Sequence, residues 1–178
     1  DTQETVYLTA HHINVKEYDT VVDFLKSLPA GNAILVDNRY CSYTLYKTLQ
    51  KNQQLIEGKN PTELLKAIKN PVEQARMQEI FLKDSVAVTK FIYWLKTHVG
   101  KEKITEVTAA DYLEQKRREI PEFLDLSFPT IAGYKSNAAM MHYEATPENC
   151  ATLEPEGMLL VDSGGQYLGG TTCVNTTI

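Results

Sequence analysis

The sequence predicts an α+β chain in two parts, an α/β segment over residues 1–67 and a segment over 68–178 in which long helices precede a strand-rich end. Three observations predict it. Short apolar runs alternate with amphipathic helical patterns up to about residue 66, the succession expected of α/β units. A single helical pattern of about 27 residues then follows the cap Asn70-Pro71-x-Glu73. Finally, Met158 to Ile178 contains an apolar run, two glycine pairs and a β-branched return, which together read as a hairpin.

Taken in order, Thr5 to Ala10 reads as a strand by its β-branched and aromatic residues. His11 and His12 follow it. Neighbours on a strand face opposite ways, so the two do not share one metal and are read as structural. Tyr18 to Leu28 has apolar residues at helical spacing and is stopped by Pro29-Ala30-Gly31. Ala33 to Val36 is a short buried strand, with Asp37 and Asn38 placed as caps. Tyr40, Tyr43, Tyr46 and Leu49 mark the next helix face, and Leu55-Ile56 a further strand.

The long helix runs to about His98, its stripe carried by Met77, Phe81, Val88, Ile92, Leu95 and Val99, with Tyr93 and Trp94 as packing residues. Asp84 falls on that stripe. A carboxylate buried there requires a partner, and a buried structural pair is preferred to a direct chemical role. Thr108 with Asp111 is expected to cap a helix from Ala109 to about Arg118, whose basic end, Lys116 to Arg118, suits the dipole. Leu126 to Ile131 and Ala138 to Tyr143 read as two strands joined by a loop, beside which the hairpin pairs. In that hairpin a buried strand delivers Asp162 to its carboxyl end, and Gly164, Gly165, Gly169 and Gly170 supply turn conformations with positive φ. One carboxylate alone does not make a metal site.

Composition narrows the function classes. In 178 residues, 43% hydrophobic and 23% charged, there is enough material for a core in one domain or in parts of two. A net charge of −5 argues against a nucleic-acid or acidic-membrane partner. No apolar run approaches the roughly 20 residues needed to span a bilayer. No basic-then-apolar leader opens the sequence, and a start at Asp1 fits a processed or cut chain. Cys41, Cys150 and Cys173, odd in number and widely spaced, fit a reducing and hence cytoplasmic compartment. CxxC, HExxH, P-loop and GxGxxG patterns are absent.

The residues of the hairpin carry a resemblance to the pita-bread metallopeptidases, and most closely to the Xaa-Pro aminopeptidase (aminopeptidase P) family. Asp162, Ser163, Gly164, Gln166, Tyr167, Gly170, Thr171, Thr172, Val174 and Thr177 match the family's metal-binding hairpin in register. Lys66 to Leu95, with its "NPxE" cap, is similar to the junction between the family's middle and catalytic domains. The resemblance implies a carboxyl-terminal part of an α/β middle domain at 1–67 and the amino-terminal portion of a pita-bread catalytic domain at 68–178. In the family the first hairpin Asp ligates one metal of a two-metal centre, and this position is Asp162. The second, bridging Asp corresponds to Cys173, which departs from the pattern, as do Asn175 and Thr176. The family also places "HY" after SFPTI, twenty residues before the first metal Asp, which assigns His142 to the active site as an aid to the substrate or its leaving group. By its residue type alone, His142 reads as an ordinary strand histidine.

What the resemblance implies chemically is hydrolysis of peptides with proline at the second position. Two divalent ions, usually manganese, hold an attacking hydroxide, and family members commonly form homodimers. The other family ligands, one His and two Glu, belong beyond Ile178. The chain alone is therefore expected to be an inactive fragment. A non-catalytic pita-bread-like module for peptide binding or dimerisation is the alternative. A zinc site from Asp162, Cys173 and His142 is a minor third reading, since Cys173 is most simply a small apolar side chain.

Overall fold

The computed structural model describes residues 2–178, and the chain divides into two compact units, Asp1–Ile68 and Lys69–Ile178. In the first unit, helix α1 (Thr2–Ala10) occupies the stretch expected as a strand. Strand propensity describes fit to a pleated, half-buried surface. Val6 and Tyr7 are exposed, and among the described residues no strand runs beside them. A helix satisfies its backbone N–H groups internally and needs no such neighbour. His12 follows with φ 56, and the His11 ring rests 4.3 Å from that of Tyr7.

A 3-10 turn (Tyr18–Thr20) leads into α2 (Val21–Ser27), followed by β1 (Ala33–Val36), α3 (Tyr43–Gln50), β2 (Gln54–Glu57) and α4 (Pro61–Ala67). Strands β1 and β2 are parallel, with Val36 opposite Glu57, as an α/β unit requires. Val36 and Leu49 are buried, whereas Tyr40 and Tyr43 are exposed. The cap of α3 is Ser42, which accepts from the Leu45 amide, and not Asp37 or Asn38. Asp37 instead pairs with Arg39 (Oδ2 to Nη2 2.7 Å) and accepts from the Asn60 amide at 2.9 Å. The Arg39 guanidinium holds that carboxyl well below the usual carboxylate range.

The second unit begins with α5 (Pro71–His98), whose 28 residues open on a complete capping box: the Asn70 side chain accepts from Glu73 N and the Glu73 side chain from Asn70 N. Its buried face is Ile80, Asp84, Ala87, Val88, Phe91 and Leu95. Phe81 is 37% exposed and Tyr93 is largely exposed, whereas Trp94 stacks on Tyr112 with ring centroids 3.9 Å apart. Helix α6 (Glu106–Arg118) starts three residues earlier than expected, because Thr105 is the cap and Thr108 its reciprocal partner. The helix buries Glu106, Ala109, Leu113 and Arg117, a stripe at spacings of three and four, so the basic end does not simply serve the dipole.

Strands β3 (Phe123–Leu126), β4 (Ile131–Tyr134), β5 (Leu159–Ser163), β6 (Gly165–Tyr167), β7 (Gly170–Thr171) and β8 (Val174–Thr177) form two three-stranded antiparallel sheets, ordered β3-β6-β7 and β4-β5-β8. The expected strand at 138–143 does not form. A 3-10 turn (Lys135–Ala139) and a tight turn take its place. Residues 126–131 are likewise not one strand but the break between β3 and β4. The core joins Phe91 and Leu95 of α5, Leu113 of α6, and Ala132, Leu159 and Val161 of the second sheet.

Candidate functional site

The hairpin from Leu159 to Thr177 keeps one register while passing through two sheets. Asp162 faces Asn175 and Ser163 faces Val174 in β5-β8, and Gln166 faces Thr171 in β6-β7. Continuing that register sets Gly165 opposite Thr172, whose amide donates to the Gly165 carbonyl at 2.9 Å, and Gly164 opposite Cys173. Both strands therefore change sheet at the same level. The chain approaches itself closely there: a Cβ on Gly164 would collide with the Thr172 carbonyl oxygen and with Ser127 Oγ. Thr172 is fully buried and its hydroxyl accepts from the Gly165 amide at 3.0 Å. Of the glycines expected to supply positive φ here, only Gly170 does so, at 157°.

Asp162 lies on β5 one residue from its end, opposite Ile131 of β4. Residues two apart on a strand share a face, so Asp162, Gly164 and the facing Cys173 belong to one side of the ladder. Asp162 Oδ1 is buried and has no hydrogen-bond partner among the described residues. A buried carboxylate oxygen left unpaired is costly, and a cation is the partner that best offsets the cost. Cys173 is exposed, in the gap between β7 and β8, and all three cysteines are unpaired. His142 is exposed in a turn with φ 54, a left-handed conformation uncommon for a residue bearing a side chain. No group of three His, Cys, Asp or Glu that could hold a metal occurs among the described residues. The donor set thus fits one oxygen ligand of a metal centre and does not fit a complete centre, nor a zinc site built from Asp162, Cys173 and His142.

Two carboxylates of the second unit are fully buried. Asp84 Oδ1 receives Arg117 Nε at 2.7 Å and the Tyr167 hydroxyl at 2.6 Å, and its Oδ2 receives Arg117 Nη2 at 3.2 Å. Arg117 Nη2 also donates to Ser163 Oγ at 3.1 Å, one residue from Asp162. Asp84 is thus the structural pair expected of it, and Arg117 is the partner that sequence reasoning left unnamed. The signal was available, since Arg117 continues the spacing of Ala109 and Leu113. Burial and the Asp84 carboxylate push the Tyr167 phenol well above its ordinary range.

Glu106 is the second. It accepts from Tyr134 N (2.6 Å), Ala151 N (2.7 Å), the Tyr143 hydroxyl (2.7 Å) and Asn137 Nδ2 (3.0 and 3.1 Å). Burial, with the Glu106 carboxylate beside it, pushes the Tyr143 phenol up to about 12. Glu106 carried no sequence signal as a functional residue.

Comparison with known proteins defines the class. The Creatinase/Prolidase N-terminal domain matches residues 1–73, and Metallopeptidase family M24 matches residues 75–178. X-prolyl aminopeptidase from Caenorhabditis elegans, described as a cytosolic enzyme with a di-nuclear active site, superposes with a TM-score of 0.87 at 23% identity. The superposition covers 100% of this chain and 30% of that one. The architecture is the pita-bread fold of aminopeptidase P. Xaa-Pro aminopeptidase 2 of Mus musculus is 35% identical over 167 residues, 93% of this chain and 25% of the relative. Aminopeptidase P1 of Arabidopsis thaliana is 37% identical over 80% of this chain and 25% of the relative. The chain belongs to metallopeptidase family M24. It spans about a quarter of the length of these curated relatives.

Proposed function

We propose that these 178 residues are part of a metal-dependent Xaa-Pro aminopeptidase, a hydrolase that removes the residue preceding a proline at the second position of a peptide. The observation that carries this reading is the orphaned, buried Oδ1 of Asp162, set in a hairpin that matches the family's metal-binding hairpin. Residues 1–67 are then the end of the middle domain and 68–178 the start of the catalytic domain. Asp162 is the first metal ligand and His142 the residue that donates a hydrogen bond to the substrate or its leaving group. Cys173 stands where the family has its bridging carboxylate. A thiolate is softer than a carboxylate and favours zinc over manganese, so this position weakens a manganese centre.

With one carboxylate ligand on these residues, the chain by itself neither holds two manganese ions nor hydrolyses peptides. The cytosolic location given for the Caenorhabditis elegans enzyme supports a cytoplasmic setting, and no helix among the described residues is long and apolar enough to cross a membrane. Homodimerisation belongs to the same reading. The substitution of Cys173 at a ligand position favours a second reading, a non-catalytic module that retained the scaffold for peptide binding or for dimerisation.

Manganese titration followed by NMR, with bound metal quantified by plasma emission and an Xaa-Pro peptide assayed in parallel, tests both. The expected result is paramagnetic broadening centred on residues 160–164 and 173–175, without stoichiometric binding or turnover. Two bound manganese per chain with hydrolysis would overturn the predicted inactivity. Broadening scattered over unrelated surface carboxylates would leave the non-catalytic module as the better reading.

A further inference from the structure

Glu106 does something that neither the hairpin nor its metal ligand requires. It is the first residue of α6, fully buried, and every donor that reaches it comes from the segment between Tyr134 and Ala151. Tyr134 N and Ala151 N approach from the two ends of that segment, at 2.6 and 2.7 Å. Asn137 Nδ2 bridges both carboxylate oxygens and also reaches the Tyr143 hydroxyl at 3.0 Å. The Tyr143 hydroxyl completes the set at 2.7 Å. One carboxylate thus gathers the ends and the middle of an 18-residue stretch with little regular structure of its own.

His142 is the residue before Tyr143. Its side chain is exposed and its φ of 54° is of a kind that persists only where the surroundings fix it. Tyr143, 8% exposed and bound to Glu106, is the nearest such anchor. We propose that Glu106 is the positioning residue of His142: through Tyr143, Asn137 and the two ends of the loop it holds the backbone at His142 in the left-handed turn that sets the orientation in which the exposed imidazole projects. The functional meaning of that orientation rests on the reading of His142 as the substrate-facing histidine. The orientation itself does not.

The 178-residue chain, labelled at histidine with 13C and 15N, provides the test. The His142 ring signals are assigned by their loss in His142→Gln, and amide exchange is followed across residues 138–146. In Tyr143→Phe one buried hydrogen bond is removed, so exchange in that stretch should rise about tenfold and the His142 ring signals should shift or split. Glu106→Gln should produce the same change more strongly. Tyr167→Phe, which takes the corresponding phenol from Asp84, is the control and should leave the His142 ring signals in place. Unchanged ring signals and exchange in Tyr143→Phe would overturn the proposal. So would an equal disturbance from Tyr167→Phe, which would make the effect one of general loosening. If Glu106→Gln does not fold, Tyr143→Phe decides alone. Neither readout uses metal or turnover, so failure of the aminopeptidase reading and failure of this one are separate results.

Discussion

Asp84 and Glu106 are both fully buried carboxylates on packed neighbouring helices, yet they are satisfied by opposite means. Asp84 takes a guanidinium fork from Arg117 and a phenol from Tyr167. Glu106 takes two backbone amides, a side-chain amide and a phenol, all neutral donors. The charged pair connects three long-range elements, α5, α6 and the hairpin, the last through both Tyr167 and Ser163. The neutral cradle ties down one loop. A buried ion pair is weak evidence of net stabilisation, because the desolvation cost offsets much of the attraction, but breaking one is severe. Losing a neutral donor costs a single hydrogen bond. The two sites should therefore differ in how far damage spreads.

The sharpest break of this comparison is Arg117→Met, which leaves Asp84 buried beside Tyr167 alone. It should lower the stability of the second unit by about 3–5 kcal/mol in urea denaturation. A loss near zero would show that Asp84 finds solvent or another partner when the guanidinium is gone. Glu106→Gln comes next, since its amide NH2 must face backbone N–H donors. A loss of about 1–3 kcal/mol is expected, with disturbance confined to residues 134–151 in amide exchange. Disturbance reaching the hairpin would remove the contrast between the two sites.

Asp162→Asn should behave in the reverse sense. The oxygen without a partner is an uncompensated burial, so the variant should be neutral or more stable by up to about 1 kcal/mol, read as a thermal midpoint. A clear drop would mean that the carboxylate already has a structural partner, and would weaken its assignment as a metal ligand.

The smallest effect is alkaline. Each buried carboxylate holds one phenol whose pKa is raised in the folded chain, Tyr143 to about 12 and Tyr167 in the same direction. A phenol with a raised folded-state pKa contributes stability that is complete below its ordinary value near 10 and is lost as pH rises through the folded value. Denaturation midpoints should therefore fall above pH 10. The fall should be shallower in Tyr143→Phe and in Tyr167→Phe than in the parent, and an unchanged slope in both would show that these phenols are not the groups responsible.

Much of the fold was legible in the sequence. The capping box at Asn70, the length of α5, the β1 and β2 strands and the single-register hairpin all follow from contacts within a few residues or from alternation along one strand. The motif around Asp162 was legible for the same reason, as was the need of Asp84 for a partner. What failed were segments whose structure depends on neighbours. Residues 5–10 have strand composition but, among the described residues, no strand beside them, and became helix. The stretch around His142 reads as a strand, yet the Glu106 cradle draws it into a turn. The helix expected from Ala109 starts at Glu106, because Thr105 and Thr108 compete better for the first amides.

The sequence by itself determined which residue types meet which backbone period: caps, helix lengths, the hairpin and the family that its residues match. Only the tertiary structure decided which charge answers Asp84, what Glu106 holds, and that Asp162 keeps an oxygen free. The physical reason is distance along the chain. Arg117 lies 33 residues from Asp84 and Tyr167 lies 83 away, and a hydrogen bond spanning that interval leaves no periodic trace in composition. Such contacts exist only once the core has set the helices and the hairpin face to face.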